Sequence, residues 1–164
     1  MTRNFALIVS MLFSINVFAM VDSVVEDGIR IELNSSKDAN LFDNLSHTTV
    51  LVLYQFKTLD SLKRLTNEMN GMEILLKGES FNDDVLMVRK EIIPPGVNRS
   101  FYWDRHKSAK YVAAVAGYFI SEMQRKVKVF TLKTRKKHSF FWKPKNPERA
   151  DTVVHIQLGR RAIE

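Results

Sequence analysis

A strand, a long polar loop and a second strand between residues 28 and 56 constrain this chain more than any other feature. Gly28-Ile29-Arg30-Ile31-Glu32-Leu33-Asn34 alternates apolar and polar side chains. Such a period of two describes a strand with one dry face and one wet face. Thr48 to Phe56 is almost continuously apolar and rich in β-branched residues. So short a run reads as a strand buried on both faces. Between them lies Ser35 to His47, with Leu41, Phe42 and Leu45 among polar neighbours. The stretch is too long for a tight hairpin, and loops beyond the usual few residues tend to be functional or disordered. Sequence alone leaves open whether Leu41 and Phe42 anchor a partner or fold back onto the end of the domain.

The first residues set the compartment. A basic start at Arg3, an apolar run from Phe5 to Ala19 and the pattern Val17-Phe18-Ala19 describe a secretory signal peptide, cleaved after Ala19. The run falls short of the ~20 apolar residues that span a bilayer, and Asn16 interrupts it. Residues 20–164 then form one domain, large enough to bury a core without staples. The chain has no cysteine, which removes disulfides, thiol catalysis and cysteine metal sites. Its formal net charge of +7 favours acidic partners. An exported protein meets anionic lipid or acidic protein faces, not nucleic acid.

Beyond Phe56 the period changes. Leu59, Leu62, Leu65 and Met69 recur at helical spacing and predict a helical insertion over about residues 58–78, packed on a sheet. Thr58 or Asp60 serves as its cap, Gly71 takes the left-handed position past its end, and Met72 to Lys77 adds another turn before Gly78. Asn82-Asp83-Asp84 is a turn, Val85 to Ile93 a third strand and Pro94-Pro95-Gly96 another turn. Val97 to Trp103 is a fourth strand, and Tyr111 to Phe119 a second fully buried one. Lys126 to Leu132 and Thr152 to Leu158 complete the set. The expected architecture is all-β: an antiparallel two-sheet sandwich of seven to eight strands, with a short helical insertion between the second and third.

No catalytic signature is present. His47, His106, His138 and His155 lack metal-ligand spacing, and there is no phosphate loop or nucleophile elbow. The expectation is a non-enzyme without cofactor or metal. Residues 125–145 hold nine lysines and arginines with no acid, interleaved with Phe130, Phe140, Phe141 and Trp142. Arg125, Lys126, Lys133, Arg135, Lys136, Lys137, Trp142 and Lys143 are candidates for an anionic surface. A solvated hairpin whose rings complete the core explains the same composition.

The order of elements resembles the TssJ (SciN) lipoprotein family of type VI secretion systems. The matching stretches are Ser36 to Asn40, Val52-Leu53-Tyr54-Gln55-Phe56, Ile93-Pro94-Pro95-Gly96 and Tyr111 to Phe119. The resemblance implies a transthyretin-like sandwich acting as a periplasmic adaptor beneath the outer membrane. It implies as partner the periplasmic domain of the large inner-membrane subunit (TssM-like). It also implies that the loop between the first two strands makes that contact: here Lys37, Asp38, Ala39, Asn40, Leu41, Phe42, Asp43 and Asn44. The family carries a lipidated cysteine after its signal peptide, where this chain has Met20. A non-lipidated periplasmic protein is therefore expected, with a peripheral seat at the outer membrane as one option. A sandwich-fold periplasmic chaperone or carrier, or a protein of anionic membrane surfaces, are the alternatives.

Overall fold

The computed structural model describes residues 23–120, 122–133 and 152–164. The expected signal peptide, and Arg135, Lys136, Lys137, Trp142 and Lys143 of the basic segment, lie outside the described residues. The alternation at Ile29, Ile31 and Leu33 is realised as β1 (Val24–Ser35), whose three apolar side chains are buried. A short ribbon, β2 (Leu41–Phe42) with β3 (Leu45–Ser46), precedes β4 (Thr49–Phe56). Helices α1 (Asp60–Asn67) and α2 (Gly71–Lys77) follow, then β5 (Val85–Ile93), β6 (Asn98–His106) and β7 (Tyr111–Gly117). The helical turn α3 (Met123–Lys126), β8 (Val127–Thr131) and β9 (Thr152–Leu158) complete the described chain.

Two sheets face each other, in the orders β6-β1-β9 and β5-β4-β7-β8. The sandwich expected from the sequence is thus present, with the β2–β3 ribbon added. One pair departs from the antiparallel expectation: β9 runs parallel to β1, with Ile31 opposite Val154. The first strand also begins earlier than expected, at Val24. A bulge between Val25 and Ile29, with Asp27 at φ 51°, turns it into register with β6.

Two apolar layers hold the fold. Between the sheets, Ile29, Ile31 and Leu33 meet Leu51, Leu53, Val112, Ala114, Trp103, Val154 and Ile156. Behind the second sheet, Val52, Tyr54, Phe56, Ala113 and Val115 meet Leu62, Leu65 and Leu75 of the helices. This is why β4 and β7 are apolar on both faces. Three details of the insertion differ from the expectation. Met69 is almost wholly exposed, because the helix breaks at Glu68 and restarts at Gly71. Gly71 is not left-handed: it opens α2, where an added Cβ would fall 1.7 Å from the Leu65 carbonyl oxygen. The left-handed cap is Gly78, at φ 74°. Neither Thr58 nor Asp60 caps α1, whose N-cap is Leu59, with no side-chain hydrogen bond.

Buried polar groups stitch the layers. Tyr54 donates to the Leu75 carbonyl at 2.6 Å. Burial pushes its hydroxyl up to about 12, against a lowering hydrogen bond from Gly78. Gln55, fully buried, donates to the Asp104 carbonyl at 2.6 Å and accepts from the His106 N–H at 2.9 Å, joining β4 to β6 across the sandwich. Gln55→Leu strands both backbone groups and should cost about 2–4 kcal/mol, read as a lower denaturation midpoint at unchanged slope.

The open side between β5 and β6 is closed by ions. Glu91 pairs with Arg89 and Arg99, each at 2.7 Å, and both guanidinium groups lie over the Phe101 ring. Burial pushes the Glu91 carboxyl up. The hydrogen bonds and charges of Arg89 and Arg99 outweigh it and hold the group below its ordinary 4.5. Because the folded value is depressed, this stabilisation is present above the unfolded value and lost as pH falls through the folded one. Thermal melts of Glu91→Gln and the parent should therefore differ near neutrality and converge in acid. A difference independent of pH would show that the pair contributes no charge-dependent stability.

The strands give the domain two distinct ends. β4 leaves the loop at Thr49 and reaches the other end at Phe56, roughly 25 Å away at ~3.3 Å per residue. One end gathers the loop, Tyr118 to Ile120 and Gly159 to Arg161. The other gathers Ser23, Lys57, Lys107 to Lys110 and Lys133.

Candidate functional site

The loop from Ser35 to His47 is fixed in place by backbone hydrogen bonds. Ser36 donates to the Leu158 carbonyl at 2.9 Å and Leu41 to the Arg160 carbonyl at 3.0 Å, while the Ala39 N–H closes a turn on the Ser36 carbonyl at 3.1 Å. Asn40 is the pivot. Its backbone is left-handed, at φ 51°, and it is buried. Its amide donates to the Thr48 carbonyl at 3.0 Å and the Gly117 carbonyl at 3.5 Å. Its side-chain oxygen accepts from the Phe119 N–H at 2.9 Å. One side chain thus ties the loop to the end of β7.

Beyond this pivot the loop does form a tight hairpin. Asp43 and Asn44 both have positive φ, 49° and 58°, which is the conformation of a type I′ turn. The turn projects Phe42 and Leu45 outward. Phe42 stacks on Phe119 at 5.3 Å between centroids, and His47 meets the Phe119 ring edge-on at 4.8 Å. The His47 ring nitrogen lies 3.3 Å from the Phe42 carbonyl oxygen. Phe42, Leu45, Phe119 and Ile120 are 41, 63, 60 and 48 % exposed, a concentration of apolar side chains in water at one end of the domain. A recess of about 350 Å³ lies on one side, lined by Leu41, Asp43, Ile120, Arg160 and Arg161 among others. A second, of about 370 Å³, lies against Phe119, Thr48 and Leu76.

The residues named from sequence divide accordingly. Lys37, Asp38, Phe42, Asp43 and Asn44 face solvent, Leu41 is half-buried, and Ala39 and Asn40 are buried within the chain. Phe119, Ile120, Arg160 and Arg161 escaped sequence reading. Only the apolar pair after Gly117-Tyr118 hinted at them. Of the cationic candidates, Arg125 and Lys133 are exposed and stand at opposite ends of β8, with Lys126 half-buried beside Arg125. His155 is an exposed strand residue paired with Glu32 at 2.9 Å. Among the described residues, no group of three or more His, Asp or Glu side chains is placed to hold a metal. No described helix is long and apolar enough to cross a membrane.

The chain is a β-sandwich that presents an ordered aromatic ridge between two shallow recesses. Residues 27–161 match the family described as type VI secretion lipoprotein, VasD, EvfM, TssJ, and the chain belongs to that family. No curated protein matches the sequence. Among solved structures, the fold is similar to the T6SS lipoprotein TssJ1 from Pseudomonas aeruginosa, with TM-score 0.62 and 16 % identity over 83 % of this chain and 92 % of that one. It is similar to Serratia marcescens Lip, a membrane-bound component of the type VI secretion system, with TM-score 0.62 and 12 % identity over 83 % and 94 %. It also matches a chain in the structure of the T6SS protein TssM C-terminal domain from EAEC, with TM-score 0.59 and 12 % identity over 83 % and 94 %.

Proposed function

We propose that this chain is a non-catalytic periplasmic adaptor of a type VI secretion envelope complex. The end carrying Phe42, Leu45, Phe119 and Ile120 docks the periplasmic domain of the large inner-membrane subunit. The observation that carries this reading is the Phe42–Phe119 stack, exposed yet held by Asn40. A surface ordered before binding loses little entropy on docking, and aromatic side chains are the usual anchors of protein interfaces. Membership of the type VI secretion lipoprotein family supports the assignment of system.

Residues 1–19 act as the export signal in this reading. The 164 residues contain no cysteine, so no thioether-linked acyl chain can form on them. In this reading the adaptor is held at the envelope by its contacts. The test is an affinity capture from gently solubilised envelopes, with the chain tagged at its C-terminus and mass spectrometry of the eluate. Enrichment of the large inner-membrane subunit is expected. Capture of lipid or lipopolysaccharide without that subunit would overturn the adaptor reading.

A further inference from the structure

The end of the sandwich opposite the aromatic ridge carries a second feature. A cleft of about 580 Å³ is lined by Val25, Lys57, Arg105, Lys107, Ser108, Ala109, Lys110 and Leu132. Four of those eight side chains are cationic, and none is a carboxylate. Lys57, Lys107 and Lys110 are exposed around the rim. Arg105 is 5 % exposed and forms part of the wall. Its guanidinium donates to the Ala109 carbonyl at 3.3 Å and the Lys133 carbonyl at 2.9 Å. Gly28 makes room for it: an added Cβ there would lie 2.7 Å from the Arg105 Cβ. Arginine remains charged at every physiological pH, so the wall holds a permanent positive charge. Val25, Ala109 and Leu132 supply an apolar floor.

Two backbone ties close this end of the domain. Ser23 is fixed here, its carbonyl accepting from the Lys107 N–H at 2.7 Å. Lys133, the first of the cationic run from Lys133 to Lys145 in the sequence, is tied here through its carbonyl.

We propose that this cleft binds the phosphate headgroup of anionic membrane lipids and sets the domain on the bilayer with the aromatic ridge pointing away. Cationic side chains round an apolar floor match a charged headgroup joined to an apolar glycerol ester region, and lysines can reach phosphates while their stems lie on apolar surface. A lipid-seated cleft places the domain at a membrane through its own side chains. The site is separate from the docking ridge and does not depend on it.

The test is co-sedimentation of the exported protein with vesicles of phosphatidylcholine doped with phosphatidylglycerol, against phosphatidylcholine alone. Binding to the doped vesicles, weakened by salt, is expected. The triple variant Lys57→Gln, Lys107→Gln, Lys110→Gln should bind roughly a hundredfold more weakly, with an unchanged circular dichroism spectrum. The variant Lys63→Gln, Arg64→Gln, Lys77→Gln removes as much charge from the helices and should bind as the parent does. An equal loss in both variants would assign the effect to net charge and overturn the site. So would undiminished binding by the cleft variant. Calorimetry with inorganic phosphate forms the other arm: lysine-dependent binding of the free ion, without vesicle binding, would overturn the membrane assignment.

Discussion

Phe42→Asp combined with Phe119→Asp should weaken capture of the large inner-membrane subunit by roughly a hundredfold or more, while the melting temperature changes little. The two effects separate because the rings are largely in water in the free chain. Their mutual stack contributes about 0.5–1.5 kcal/mol at most. In a complex, each ring would bury further apolar area, and each aspartate would instead carry a charge into a desolvated contact. Losing an interface anchor typically costs about 2–4 kcal/mol, and every ~1.4 kcal/mol is a factor of ten. Surface plasmon resonance against the isolated periplasmic domain reads the ratio directly. A folded double variant that binds as the parent does would remove the ridge from the interface. Leu45→Asp, on the second strand of the same ribbon, should show a smaller loss of the same sign.

The sandwich was legible in the sequence wherever burial is a local matter. Val85 to Ile93 and Thr152 to Leu158 coincide with β5 and β9, because apolar periodicity and turn residues bracket them. The doubly buried β4 was equally legible, whereas β7 stops at Gly117, two residues short of the expected end, and leaves Phe119 in water. What pairs with what is not local. Nothing in Thr152 to Leu158 states that it runs parallel to β1, since that pairing is decided by the whole packed layer. Met69 misled because helical spacing continues through a break. Gly71 exists for a close approach to Leu65, which sequence cannot distinguish from a turn glycine. In the candidate site, Phe42 stood out as an aromatic in a polar loop. Its companion Phe119 did not, being 77 residues away along the chain and brought beside it by Asn40 and β7. Asp43-Asn44 is a residue pair suited to a type I′ turn, but it lies inside a connection that, measured from strand to strand, is too long for a tight hairpin.

Asn40 joins the stability of the domain to its proposed task, and its substitutions separate the two contributions. Asn40→Gly keeps the left-handed backbone at φ 51° accessible but deletes three side-chain hydrogen bonds, leaving the Phe119 N–H and the Thr48 and Gly117 carbonyls without this partner. Unsatisfied buried groups cost ~1–3 kcal/mol each, and relaxation toward water at this end places the sum near the lower part of that range, about 2 kcal/mol. Asn40→Ala adds the left-handed penalty of about 1–2 kcal/mol. The expected order of melting temperature is therefore parent, then glycine, then alanine. Asn40→Asp preserves the acceptor for Phe119 but turns an oxygen toward two carbonyls, so it should fall below glycine at neutral pH. In the glycine and alanine variants the Phe42 ribbon loses its tie to Phe119 although both rings remain. Capture of the large subunit should then fall further than the melting temperature predicts, since the ridge would have to be ordered during binding. Variants that melt lower yet bind as the parent does would show that Asn40 serves only the fold and that the ridge needs no prior ordering.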